Sequence, residues 1–303
     1  MKYTLFQDTR TGARAYNQDR LAHAATPESL LLVLADGMGG HAHGEIAAQL
    51  AVEYIVSAYR AEAKPRLPNP ELFLFRAIGR SHKVIIEQAH RLGLAESPRT
   101  TVVACVVQEG QAWWSFIGDS RLYLIRDGRI ALRTRDHTPV QVLIDAGRIR
   151  EEAAAHHPER NKLLQCLGGF IPPRLEPTAS ARLAKGDVVL LCSDGFWGPL
   201  TQRQLLMGLI GKEPGRAIPE LITLAEARAG PLCDNISVLA LHWHEEAIPA
   251  AETERTLPLD EMATDAQDFT ATDPDFLRMT DADIERAIDE IRAALRKHHP
   301  PRQ

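Results

Sequence analysis

Residues 29–41 read Ser29-Leu30-Leu31-Leu32-Val33-Leu34-Ala35-Asp36-Gly37-Met38-Gly39-Gly40-His41. An aliphatic run of this length fits a buried strand, and it ends abruptly in a carboxylate followed by glycines. A carboxylate at the mouth of an apolar strand is costly to hold unless something positive meets it. Three further aspartates have comparable settings. Asp119 lies in Ile117-Gly118-Asp119-Ser120-Arg121, Asp194 in Leu191-Cys192-Ser193-Asp194-Gly195, and Asp234 in Cys233-Asp234-Asn235-Ile236-Ser237. Four such acids from distant parts of the chain point to a site of oxygen ligands for a hard metal ion. Singly, each has a plainer reading: Asp36-Gly37 and Asp194-Gly195 as turns, Asp234-Asn235 as a strand-start cap. Asp127-Gly128, between two short apolar runs, is read as a hairpin turn alone.

Outward from this stretch, strands are expected at 2–7, 19–24 and 29–35, followed by helices at 44–60 and 71–93. Ile46, Leu50 and Tyr54 mark the inner face of the first helix; Leu72, Phe75, Ile78, Ile85, Ile86 and Leu92 are the apolar positions of the second. Short strands follow at 101–108, 112–117, 122–125 and 130–133, with turns at Gly110 and Asp127-Gly128. Residues 138–173 form an irregular excursion with helical pieces at 140–146 and 151–156. A strand at 187–192, helices at 202–210 and 217–229, and a last strand at 236–243 complete the pattern. Strands grouped apart from helices argue for an α+β class rather than regular β-α-β winding.

The chain has 303 residues, with 45% hydrophobic and 25% charged side chains, a composition of ordinary globular proteins. No apolar run approaches the ~18 residues of a membrane span, and the polar N-terminus is not read as a signal peptide. Cys105, Cys166, Cys192 and Cys233 form no C-x-x-C pair, so zinc and redox motifs are unsupported and a reducing, cytoplasmic setting is expected. Residues 245–303 carry 15 acidic and 7 basic side chains, a net −8, against +3 for the preceding 244. Nothing in this distribution forms a basic stripe for nucleic acid. Residues 245–279 read as an acidic disordered linker. Residues 280–303 read as an amphipathic helix with Thr280 as N-cap and a narrow seam of Ile284, Ile288, Ile291 and Leu295. That seam suits either a protein partner or docking in cis. Thr264, Thr270 and Thr272 lie among acids, a setting suited to phosphorylation.

The ordered aspartates, together with Gly12-Ala13-Arg14-Ala15-Tyr16-Asn17-Gln18-Asp19, Thr100-Thr101, Arg135-Asp136-His137-Thr138 and Leu167-Gly168-Gly169, resemble the metal-dependent PP2C-type (PPM) protein Ser/Thr phosphatases, especially their bacterial branch. The resemblance covers about residues 3–243. It implies a catalytic domain over 1–244 built of two packed antiparallel sheets flanked by helices on both faces. The excursion would correspond to the family's flap. It also implies hydrolysis of phosphoserine and phosphothreonine in proteins by a metal-activated water, with Mn²⁺ or Mg²⁺ as cofactor. Two divalent ions roughly 3.5–4 Å apart suit such chemistry, because they activate a water and draw charge off the phosphoryl oxygens.

By the same resemblance, Asp36 bridges both ions, the Gly37 carbonyl completes one, and Asp194 and Asp234 hold the other. Asp19 contacts the site through a water. Asp119, with Asp194, binds a third, weaker ion. Arg14 grips the substrate phosphate, for which a guanidinium fork is well shaped. Some members carry a histidine two residues after the bridging aspartate; here that position is Met38, so no general acid carries over. His41 and His43 lie nearby, read either as surface or capping residues or as direct proton-transfer groups. His137 is expected to be structural, His156 and His157 solvated, and the four tryptophans packing residues. Partners would be phosphoproteins, the targets of a Ser/Thr kinase, with neither nucleic acid nor membrane. Two other readings share the site: a small-molecule phosphohydrolase and a catalytically weak phosphoprotein-binding scaffold.

Overall fold

The computed structural model of the chain describes residues 1–38, 43–154 and 157–245. The expectations for His41, His156, most of the linker and the C-terminal helix lie outside these residues. The described strands are β1 (Tyr3–Arg10), β2 (Asp19–Ala25), β3 (Ser29–Met38), β4 (Arg99–Thr100), β5 (Val102–Gln108), β6 (Gln111–Ile117), β7 (Arg121–Arg126), β8 (Arg129–Arg133), β9 (Ala179–Arg182), β10 (Val188–Cys192) and β11 (Ile236–Trp243). The helices are α1 (Gly44–Glu62), α2 (Pro70–Arg91), α3 (Pro139–Asp145), α4 (Glu151–Ala154), α5 (Asp194–Trp197), α6 (Gln202–Leu209) and α7 (Pro214–Ala229).

The strands form two antiparallel sheets. One has the order β1-β11-β10-β7-β8, the other β2-β3-β5-β6-β9 with β4 paired to β3. Alternation along each strand decides which side chains enter the space between the sheets. Leu30, Leu32 and Leu34 of β3 share a core with Val189, Leu191, Leu239 and Leu241 of the other sheet, and Trp114 and Trp243 close it. The opposite face of the first sheet, with Val188, Leu190, Val238 and Ala240, buries Ile218, Leu221 and Ile222 of α7 and Leu205 and Leu209 of α6. On the second sheet, α1 packs on β2 and β3, and α2 packs on α1, β5 and β6. Ala47, Ala48 and Ala51 let α1 approach closely, all three being fully buried. The expected two-sheet sandwich with helices outside both faces is the architecture found.

Helix termini follow local chemistry. Asn69 caps α2 by accepting from Leu72 N, with Pro70 at the first helical position; Thr138 caps α3 and Thr201 forms a capping box with Gln204. Asp127 and Gly128 have φ values of 49° and 69° between β7 and β8, so that pair is a hairpin turn as expected.

Some expectations need correction. The buried seam of α2 is Phe73, Leu74, Ala77, Ile78, Ser81 and Ile85, whereas Leu72 and Phe75 are 45% and 46% exposed. A mixed apolar N-terminal turn offers two competing stripes, and the sheet takes the other one. α7 begins at Pro214 rather than 217, because proline fits the first turn. The edge strand β9 is not among the expected strands; Ala179-Ser180-Ala181-Arg182 has no apolar alternation strong enough to mark it.

Candidate metal centre

The expected site acids gather at one end of the sandwich. Asp36 lies near the end of β3 and Asp19 begins β2, and the two stand directly opposite in the ladder. Asp194 lies just after β10, Asp234 just before β11, and Asp119 just after β6. Antiparallel pairing puts these five chain positions at the same rim.

The backbone of Asp36 is held on both sides. Its N–H donates to Thr101 Oγ1 at 3.0 Å, and its carbonyl accepts from Thr101 N and Thr100 Oγ1, each at 2.9 Å. The Thr100-Thr101 motif therefore anchors the Asp36 backbone at this end of β3. Thr101 Oγ1 also meets Ser120 Oγ at 2.8 Å, which ties β3 to the loop carrying Asp119. Leu167, at the end of the excursion, pairs with Thr100, so that segment returns beside the site as expected.

Glycines allow close backbone approach here. A Cβ on Gly37 would stand 2.3 Å from the Gly44 carbonyl oxygen, so only glycine lets β3 end against the start of α1. A Cβ on Gly195 would stand 2.1 Å from the Asn235 carbonyl oxygen, so this glycine lets the loops holding Asp194 and Asp234 touch.

Electrostatics shows how close the acids are. Burial raises the Asp36 carboxyl well above the usual carboxylate range, and repulsion from Asp19, Asp194, Asp119 and Asp234 adds to it. Burial pushes Asp194 up to about 7, with Asp234 and Asp19 contributing. Burial pushes Asp19 up to about 6 against hydrogen bonds from Ser193 and Ser237. Asp119 is raised chiefly by burial, then by Asp194 and Asp136. Asp36 and Asp194 still reach solvent at the rim, although protein packs closely around both. Ser193 Oγ donates to Asp19 Oδ2 at 2.8 Å, while Asp19 Oδ1 is buried with no protein partner. An orphaned buried carboxylate oxygen in a group of acids that repel one another fits a divalent cation with oxygen ligands.

Arg14 places a cation at this rim. Its Nη2 donates to Asp234 Oδ2 at 2.6 Å, and its side chain is 56% exposed, leaving much of the guanidinium open. Asp194 and Asp36 also stabilise its charge, after Asp234.

Several residues around the site belong to the motifs yet carry no role in the sequence reading. Asn235 organises the loop that carries Arg14: its Oδ1 accepts from Gln18 N at 2.8 Å, and its Nδ2 donates to the carbonyls of Thr11 and Tyr16. Arg121 makes a bidentate pair with Asp136 at 2.8 and 2.7 Å and lies 3.3 Å from the centre of the Trp197 ring. Trp197 Nε1 donates to the Asp119 carbonyl at 3.0 Å, so this packing tryptophan also supports a site loop. The polar type of Ser193, Asn235 and Asp136 beside site residues is the signal that could have found them. His137 is structural in the fold: it stacks on Phe116, and its Nδ1 accepts from Gly118 N. His43 occupies the N-cap position of α1 with a φ of 93° and no side-chain capping bond, its Nδ1 3.9 Å from Glu45. His157 is half-buried rather than solvated, its Nδ1 accepting from Glu159 N.

A sequence profile for protein phosphatase 2C matches residues 8–212. The chain is 38% identical over 229 residues to the serine/threonine protein phosphatase PstP of Mycobacterium tuberculosis, covering 75% of this chain but only 42% of that protein. It is 31% identical over 240 residues to protein phosphatase PhpP of Streptococcus pneumoniae, covering 77% of this chain and 94% of PhpP. Among solved structures, the catalytic domain of PstP in complex with two manganese ions matches with a TM-score of 0.65 and 31% identity, covering 80% of this chain and all of that one. On these matches the chain belongs to the protein phosphatase 2C family.

Proposed function

We propose that this chain removes phosphate from phosphoserine and phosphothreonine in proteins, using Mn²⁺ or Mg²⁺. The observation that carries the proposal is the convergence of Asp19, Asp36, Asp119, Asp194 and Asp234, held against their mutual repulsion beside Arg14. In this reading Asp36, the Gly37 carbonyl, Asp194 and Asp234 would hold two divalent ions. Asp119 with Asp194 would hold a third, weaker one. When bound, the ions supply positive charge to the transferring phosphoryl oxygens and lower the pKa of a water for attack at phosphorus.

The chain's own residues do the rest. Thr100 and Thr101 hold the backbone of Asp36 in place. Asp19 Oδ1, with Oδ2 already engaged by Ser193, is the free acceptor for an ordered water. Arg14 reaches from the rim and orients the phosphate through the part of its fork that Asp234 leaves open. Asn235 keeps the Arg14 loop in register.

Residues 1–244 form the catalytic domain in this reading. No helix among the described residues is long and apolar enough to cross a membrane. We place the enzyme in the cytoplasm, opposing a Ser/Thr kinase.

The test is phosphate release from a phosphothreonine peptide and from a simple aryl phosphate, each with Mn²⁺ and with EDTA. Metal-dependent turnover of the peptide is expected. Turnover of the aryl phosphate alone would favour a small-molecule phosphohydrolase, and peptide binding without release would favour a scaffold.

A further inference from the structure

A second group of metal-ligating side chains lies at the far end of β11 from Asp234. By strand rise the separation is about 25 Å. His242 and His244 are two residues apart on β11 and just beyond it, so they extend the row of Val238 and Ala240 that faces α6 and α7. Glu213 stands at the N-cap of α7, yet its side chain does not cap the helix. It turns instead to the strand, where Oε2 lies 2.9 Å from His242 Nδ1. The two imidazoles meet edge to face with centroids 4.5 Å apart. One ligand atom from each of the three residues lies within 4.8 Å of the other two. A cavity of about 390 Å³ opens beside them, with Glu213 and His242 in its lining.

We propose that Glu213, His242 and His244 form a second metal site, for a borderline transition ion of the Zn²⁺ class. Two imidazoles and one carboxylate leave a fourth position open, and the adjoining cavity supplies room for a water or small ligand there. Two ligand atoms at zinc distances and a tetrahedral angle stand roughly 3.3–3.5 Å apart. The His242–Glu213 contact is therefore a metal-ready pair that needs to open by only about 0.5 Å when an ion replaces the shared proton. Glu213 is exposed enough to adjust, at 58%.

The surrounding groups favour this use. Thr4 Oγ1 lies 2.6 Å from His244 Nε2, and Thr4 is the cross-strand partner of His242. In the tautomer that donates Nε2–H to Thr4, the His244 Nδ1 lone pair is free for a metal, an outer-shell arrangement common to ligating histidines. Lys212, the cation in the cavity lining, is paired with Glu220. The nitrogen-rich set also separates this site chemically from the aspartates, because imidazole prefers Zn²⁺ while an all-oxygen set prefers Mg²⁺ or Mn²⁺.

That difference gives the test. The full chain is titrated with Zn²⁺ by calorimetry in excess Mg²⁺, beside Glu213→Gln and the double variant His242→Ala/His244→Ala. The wild type should bind one more equivalent of zinc than the double variant, and Glu213→Gln should bind that equivalent at least about tenfold more weakly. Equal stoichiometry and affinity in all three proteins would overturn the proposal. Should the double variant fail to fold, zinc-edge anomalous diffraction from wild-type crystals decides instead. A peak bonded to His242 and His244 upholds the site, and zinc bound only elsewhere refutes it.

Discussion

Asp19 and Asp36 face each other across the β2–β3 ladder as a directly opposed pair of carboxylates. Like charges in that position destabilise a sheet. Here Asp194, Asp234 and Asp119 add to the repulsion. An arrangement that costs stability and persists in a close-packed fold is explained by a bound counter-charge, and the nearby Arg14 offsets only part of it.

Removing the central carboxylate tests that explanation. Asp36→Asn and Asp234→Asn should each lower turnover of a phosphopeptide by more than about a hundredfold, since even outer-shell losses at metal sites cost roughly 10–100-fold. The variants should fold, and metal-free Asp36→Asn should melt no lower than the metal-free wild type because one repelling charge is gone. Steady-state kinetics at saturating Mn²⁺ with a thermal melt in EDTA makes the check.

Asp119→Asn should behave differently. Asp119 stands beside Asp194 and Asp136 on a loop fixed by Trp197. The variant should retain the tight ion pair, require severalfold more Mn²⁺ for half-maximal activity, and show loss of the weakest binding event in a calorimetric titration.

Arg14→Ala should weaken phosphate engagement while leaving metal binding in place. A charge-assisted hydrogen bond contributes about 1.5–3 kcal/mol, which corresponds to about tenfold to a hundredfold in kcat/KM. Measurement of kcat/KM on a phosphothreonine peptide, with the Mn²⁺ affinity as control, distinguishes this from damage to the acids.

The raised carboxyls also fix a pH dependence. An unfolded aspartate titrates near about 3.9, whereas folded Asp19 and Asp194 are pushed up to about 6 and about 7. Between about pH 4 and pH 7 the folded metal-free protein thus binds more protons than the unfolded chain, so this cluster's contribution to stability falls as pH rises. In EDTA the melting temperature should drop from about pH 5 to about pH 7.5, and added Mn²⁺ should restore it at the higher pH. Asp36→Asn should show a shallower drop, and an unchanged slope would mean that other groups control it.

Much of this was legible because strand ends announce themselves. The run 29–35 is aliphatic at every position after Ser29, and it proved to be a strand buried on both faces. The aspartates that follow such runs were readable as a set, and the fold places them at one rim. Helix faces were less legible: Leu72 and Phe75 look as apolar as Phe73 and Leu74, and only packing against the sheet chooses between them. β9 was hidden because an edge strand held by backbone pairing needs little hydrophobic pattern. The supports of the site, Ser193, Asn235 and the Arg121–Asp136 pair, depend on contacts between residues far apart in the chain, which spacing alone does not encode.

The most direct measurement is a manganese-edge anomalous difference map from crystals of this protein grown with Mn²⁺. Two strong peaks roughly 3.5–4 Å apart are expected, both contacting the Asp36 carboxylate, with Asp194 and Asp234 on one of them. A map with no peak within ligand distance of Asp36, from a protein that turns over phosphopeptide in the same Mn²⁺, would contradict the bridging role of that carboxylate.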